Sequence, residues 1–232
     1  MNRYCRGFLN IFSLVVLFCV QHGFSQNNYN PKSFEAWQFE NKGLVDVQTL
    51  DSTIVVHLLY ATNNNFVGER MYKTLREACL QPEAAKKLVL AQKYLKQSCP
   101  QYRIIVYDAA RPQWAQEIMW NKVKNTPMKN YVASPGRISM HSYGVAVDVS
   151  ILDQNNHELD MGTCVDFLGA LAEPRNEALF LSTGKLTAKQ IDNRKLLRTV
   201  MKKAGFNGIP NEWWHFEAFS RTETQKKYTP IR

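Results

Sequence analysis

The stretch SMHSYGVAVDVSI, Ser139 to Ile151, places a carboxylate inside an apolar alternation. Val145, Val147, Val149 and Ile151 take the odd positions, and Ala146, Asp148 and Ser150 the even ones, which is the period of a strand. A core strand does not bury an aspartate without a partner, so Asp148 demands a cation. His141 lies just upstream, before Gly144, and a bend at that glycine would turn the imidazole back toward Asp148. Near the other end of the chain, EWWHFEAF (Glu212–Phe219) carries a second imidazole, His215, with Glu212 on the preceding turn of sequence. Zinc accepts three ligands of the His and Asp type and keeps a fourth position for water when it is catalytic. A further carboxylate, Glu212, can then act as the base. On a helix Glu212 and His215 share a face. On a strand they point to opposite faces, and the aromatic WWHF reads as strand, so a bulge or twist is required. From the residues alone, a metal centre and packed core histidines both stay open.

Working outward, RIIVYD (Arg103–Asp108) is a short apolar strand broken by Ala110-Arg111-Pro112. Before it, Pro82 opens a helix whose Ala85, Leu88, Ala91, Gln92 and Leu95 follow helical spacing until Pro100. A second helix runs from about Gln113 to Lys124. STIVVHLLYAT (Ser52–Thr62) alternates Ile54, Val56, Leu58 and Tyr60 and reads as a strand. Thr187 with Gln190 forms a capping box ahead of a helix with Leu197, Val200, Met201 and Ala204 on one face, closed by Gly205. Residues 26–43 read as a leader or loop, and 152–186 as mostly irregular. Helices and strands mix without a βαβ rhythm, which predicts one α+β domain over residues 44–232, an antiparallel sheet flanked by helices.

The first 25 residues differ. Arg3 and Arg6 precede an apolar run from Phe8 to Val20, followed by Gly23 and Ser25. That is the pattern of a secretory signal, and the run is short for a bilayer span of about 20 residues. A periplasmic or secreted chain, with no stable membrane insertion after signal removal, is the expectation. The formal net charge is +9, but the basic residues are dispersed and form no Arg-rich arm, so nucleic acid is not an expected partner. Beyond the signal, the cysteines are Cys79, Cys99 and Cys164. Cys79 and Cys99 bracket a helix of roughly 25 Å, too long for a direct disulfide. A bond from either to Cys164, or no bond, remains open.

SMHSYGVAVD resembles the SxHxxGxAxD signature of the zinc D-Ala-D-Ala dipeptidases of the VanX type, a group related to D,D-carboxypeptidases and the hedgehog signalling domain. EWWH (212–215) is similar to the second motif of that family, and YATNNNFVG (60–68), YDAARP (107–112) and MGTCVDF (161–167) add to the match. The resemblance covers roughly residues 44–220. It implies one Zn2+ per chain held by His141, Asp148 and His215, with Glu212 as general base and Arg111 as the cation that stabilises the oxyanion. It implies Asp166 as the receiver of the dipeptide's free ammonium, with Ser139 bonding substrate, Asp108 bracing Arg111, and Tyr60, Asn65 and Phe66 in the pocket wall. Met140 and Tyr143 stand where the family often carries basic side chains. The activity so implied is hydrolysis of D-Ala-D-Ala or related small D-amino-acid peptides in cell-wall turnover. A D,D-carboxypeptidase or endopeptidase acting on longer muropeptides is the first alternative. A non-catalytic, zinc-stabilised wall-binding module is the second.

Overall fold

The computed structural model describes residues 32–232. The segment read as a signal, 1–25, lies outside the described residues. Ser33 caps helix α1 (Phe34–Asn41) by accepting from the Ala36 N–H. Strand β1 (Val45–Asp46) pairs with β3 (Cys79–Leu80) in a small antiparallel ribbon. The main sheet has the order β2 (Val55–Val56), β4 (Arg103–Asp108), β5 (Ala146–Leu152), β7 (His215–Glu217), β6 (Asn207–Gly208). Helix α2 (Pro82–Ser98) packs against β4 and against α5 (Ala188–Lys203), while α3 (Gln113–Val123), α4 (Glu177–Ser182) and α6 (Arg221–Lys227) complete the fold.

Three sequence expectations are corrected. The sheet is mixed, because β2 runs parallel to β4 while every other pairing in it is antiparallel. The strand read over residues 52–62 shrinks to Val55–Val56. The chain then turns into a 3-10 segment, Leu59–Ala61, with Leu58, Leu59 and Tyr60 all buried. A short apolar run carries no signal that separates strand from turn, and here burial is met around a corner. The leader is not all loop, since it holds α1, whereas the 152–186 region is mostly irregular as read, apart from short 3-10 turns and α4. Within α1, buried Ala36 and Phe39 join the core. The three helices read from the sequence, with the capping box of α5, stand where that reading puts them. Cys79, Cys99 and Cys164 are all free thiols.

The register of the central strands builds the site. Asp148 on β5 lies opposite His215 on β7 and opposite Asp108 on β4. Residues directly opposite one another share a face, so the three side chains form a row across the sheet. The neighbouring face carries Ile104 with Ile151, Val106 with Val149, and Val147 with Phe216, and all of these are buried. Asp108 would fall on that apolar face by simple alternation. A register shift between Val106 and Asp108 moves it to the side of Asp148, which is the re-aiming a bulge performs.

Candidate active site

His141 opens a 3-10 turn, His141–Tyr143, that Gly144 closes in the left-handed region at φ +70. A β-carbon there would lie 2.9 Å from Leu44 Cδ2, so glycine meets both the backbone and the packing requirement. The turn returns His141 to β5, with Nε2 at 3.3 Å from Asp148 Oδ2. His215 places Nδ1 at 3.0 Å from Asp148 Oδ1 and at 3.1 Å from His141 Nε2. One donor atom from each of the three residues lies within 4.8 Å of the others, and all three residues are buried.

The donor set fits a divalent cation. Tetrahedral ligands about 2.0–2.1 Å from a metal stand roughly 3.3 Å apart, close to the spacings here. The tautomers also fit. His141 Nδ1 lies 2.7 Å from the Ala109 carbonyl, which can only accept, so Nδ1 carries the proton and Nε2 presents a lone pair to the cluster. In His215 it is Nδ1 that faces the cluster, while Nε2 points the other way with the Glu217 carboxylate at 3.6 Å. The electrostatics favour positive charge. Burial works to lower the His215 pKa, yet hydrogen bonding to Asp148 and Glu217 drives it up to about 10. Asp148 is held well below the usual carboxylate range by His141 and His215 against the effect of its burial.

Glu212 does not lie on the strand. The chain bends through Trp213 and Trp214, both buried, before β7 begins at His215. This bend resolves the conflict between strand alternation and a shared face, bringing Glu212 Oε2 to 4.0 Å from His215 Nδ1. Burial pushes the Glu212 carboxyl up to about 8, with His215 opposing and Asp148 and Asp166 adding to the rise. Arg111 follows β4, where its Nε donates to Asp108 Oδ2 at 2.7 Å, Nη1 to Gln116 Oε1 at 2.9 Å and Nη2 to Asp148 Oδ2 at 3.3 Å. Tyr72 donates to the other oxygen of Asp108 at 3.1 Å, and the guanidinium lies over the Tyr60 ring at 5.2 Å. Burial alone would weaken the charge on Arg111, but Asp108 and its neighbours hold it firmly protonated.

A cavity of about 520 Å³ opens over these groups, with Tyr60, Phe66, Ser139 and Asp166 in its lining. Asp166 lies on the loop after β5 with φ +65. Tyr60 donates to its Oδ1 at 2.9 Å, while its Oδ2 is buried with no hydrogen-bond partner among the described residues. Burial pushes this carboxyl up to about 7, reinforced by Asp148 and opposed by the Tyr60 hydrogen bond. Asn65 does not line the cavity. It uses its amide to close its own loop, on the carbonyls of Thr62 and Glu69 and the Val67 N–H. The sequence reading missed Glu217, Gln116 and Tyr72. Glu217 was within reach, because a residue two places after His215 on a strand faces the same way. Gln116 and Tyr72 carry no local signal.

A carboxylate-and-imidazole cluster of this kind, beneath an open cavity and flanked by a further carboxylate, is the arrangement found in metal-dependent hydrolases. Comparison with known proteins gives the family. The family model described as D-ala-D-ala dipeptidase matches residues 40–230, and the chain belongs to that family. It is 33% identical over 178 residues to the D-alanyl-D-alanine dipeptidase of Escherichia coli (strain K12), covering 75% of this chain and 83% of that protein. The D-alanyl-D-alanine dipeptidase of Enterococcus faecium is 29% identical over 178 residues, covering 68% of this chain and 82% of the relative. That of Synechocystis sp. (strain ATCC 27184 / PCC 6803 / Kazusa) is 28% identical over 161 residues, 56% of this chain and 65% of the relative.

Proposed function

We propose that the protein is a zinc dipeptidase that hydrolyses D-Ala-D-Ala to two molecules of D-alanine, with one Zn2+ on His141, Asp148 and His215. The observation that carries this reading is the meeting of those three side chains with Glu212 at 4.0 Å from His215 and Arg111 at 3.3 Å from Asp148. Two imidazoles and one carboxylate suit zinc's preference for nitrogen and oxygen donors, and zinc bound there supplies Lewis-acid polarisation of the scissile carbonyl and a water of lowered pKa.

The chain's own groups do the rest. Glu212 accepts a proton from the attacking water and delivers it to the departing amine. Its raised pKa strengthens it as a base and suits it to return the proton. Arg111, fixed by Asp108 and Gln116, sets a permanent positive charge beside the carbonyl oxygen as it gains negative charge. Asp166 receives the substrate's free ammonium on its unpartnered oxygen, and Ser139 bonds the substrate backbone. A buried carboxylate at the amino end rejects peptides extended there, because they bring no charge to pair with it.

The N-terminal pattern supports action in the periplasm or outside the cell, in turnover of cell-wall dipeptides. No helix among the described residues is long and apolar enough to cross a membrane. The test is Glu212→Gln. We expect kcat for D-Ala-D-Ala to fall about 10²–10⁴-fold with one zinc per chain retained by elemental analysis. An unchanged rate removes Glu212 from its role, and no turnover by zinc-loaded parent protein favours a wall-binding module. Equal hydrolysis of the amino-acetylated dipeptide favours a carboxypeptidase.

A further inference from the structure

Arg194 lies in the middle of α5 and is fully buried, between the apolar positions Ile191 and Leu197. Burying a guanidinium carries a heavy desolvation cost, and an apolar side chain at such a site is commonly as stable or more so. The geometry shows where the buried cation is used. Its Nε donates to the Met161 carbonyl at 2.6 Å and its Nη2 to the Leu171 carbonyl at 3.1 Å. Those carbonyls stand at the two ends of the loop that carries Asp166. Glu177 is the charge partner, with Oε1 at 3.5 Å from Arg194 Nη1, but Arg198 holds both of its oxygens at 2.8 and 2.7 Å, and the short hydrogen bonds of Arg194 go to the two carbonyls.

The same helix holds the loop's start in other ways. Asn193 donates to the Asp160 carbonyl at 2.8 Å, and Gln190 to its carboxylate at 2.8 Å. Inside the loop the backbone is in unfavourable territory for a side chain, with Asp166 at φ +65. Such a conformation persists only where its surroundings over-determine it. The loop touches the catalytic bend as well. Trp213, beside Glu212, donates from Nε1 to Thr163 Oγ1 at 2.8 Å, and the Arg194 guanidinium lies 5.8 Å from the centre of a Trp213 ring.

We infer that Arg194 is a positioning residue for Asp166: by tying both ends of loop 161–171 to α5, it fixes the carboxylate that selects substrates with a free amino end. This rests on the reading of Asp166 as the ammonium receiver. The selectivity is the ratio of kcat/KM for D-Ala-D-Ala to that for its amino-acetylated form. It is measured on zinc-loaded parent, Arg194→Lys, Arg194→Met, Asp166→Asn and the Lys/Asn double variant. Lysine keeps the charge and loses the two-armed reach. Methionine keeps the core filled.

The expected result is a fall in the ratio of about 10-fold or more in both Arg194 variants, carried by KM for the free dipeptide, with zinc content unchanged. The double variant should be no less selective than Asp166→Asn alone, because the two residues act as one unit. A ratio kept within about 2-fold in Arg194→Lys while Asp166→Asn collapses it overturns the inference and leaves the Asp166 reading intact. Additive losses in the double variant, or loss of the fold in both Arg194 variants, also overturn it, the latter making Arg194 a stabiliser of the whole domain. A ratio unchanged in Asp166→Asn removes the Asp166 reading and this inference with it.

Discussion

Asp166→Asn should make the protein more stable at alkaline pH while impairing it as an enzyme. In the folded chain this carboxyl is pushed from its ordinary 3.8 up to about 7, first by burial and then by the charge of Asp148. Between those two values the folded state keeps a proton that the unfolded state has released. The group therefore costs nothing well below pH 4, costs more as pH rises through the window, and levels off above 7. At about 1.4 kcal/mol per unit, the full shift is worth roughly 4 kcal/mol, of which about 2–3 kcal/mol develops between pH 5 and pH 8. Asparagine tolerates the left-handed backbone as well as aspartate does and can still accept from Tyr60. Its amide nitrogen, where Oδ2 finds no partner, carries its own cost of about 1–3 kcal/mol, but that cost does not vary with pH. The quantity to measure is the difference in urea unfolding free energy between variant and parent, both stripped of metal, at pH 5 and pH 8. It should shift by about 2–3 kcal/mol in the variant's favour. A difference that is flat, or that moves toward the parent as pH rises, would refute the burial argument for Asp166.

Arg111→Lys keeps a positive charge but cannot hold Asp108, Gln116 and Asp148 at once. Steady-state kinetics should show kcat down about 10²–10³-fold, and a loss under 3-fold would take the oxyanion role away from Arg111. Glu217→Gln removes the negative charge that stands 3.6 Å behind His215 Nε2. Zinc affinity, read by competition with a chromogenic chelator, should fall about 10–100-fold, and an unchanged affinity would place Glu217 outside the metal's support. Gly144→Ala meets both a positive φ and Leu44 at 2.9 Å. Chemical denaturation should show a loss of roughly 1–3 kcal/mol, and a neutral effect would mean the turn re-forms without the left-handed residue.

Helices α2, α3 and α5 were legible because each is long, periodic and bounded by its own punctuation: Pro82 and Pro100 for α2, Thr187 with Gln190 and Gly205 for α5. The short pieces were not. Two residues of β2 carry no period, and its parallel pairing with β4 depends on the path taken by the intervening chain rather than on any residue in either strand. Helix α1 is held by Ser33 capping it and by Ala36 and Phe39 reaching the core, while Phe34 and Trp37 stay exposed. That mixture blurs the amphipathic pattern a reader looks for.

The site divides along the same physical line. His141 and Asp148 belong to one local unit, a 3-10 turn, a left-handed glycine and a strand, so a single stretch of sequence states their relation. Glu212 and His215 look contradictory in isolation because a regular strand would split them, and only the bend at two buried tryptophans joins them. The row Asp108–Asp148–His215 is a property of register across three strands, and one bulge at Tyr107 decides whether Asp108 braces Arg111 or faces the core. Asp166 lies still further from local signals. Its loop is bonded at both ends by Arg194, and its carboxylate by Tyr60 more than a hundred residues earlier. Each step away from a shared local unit transfers the information from spacing to packing, so the His141–Asp148–His215 cluster can be read from motifs while the groups around Asp166 must be read from contacts.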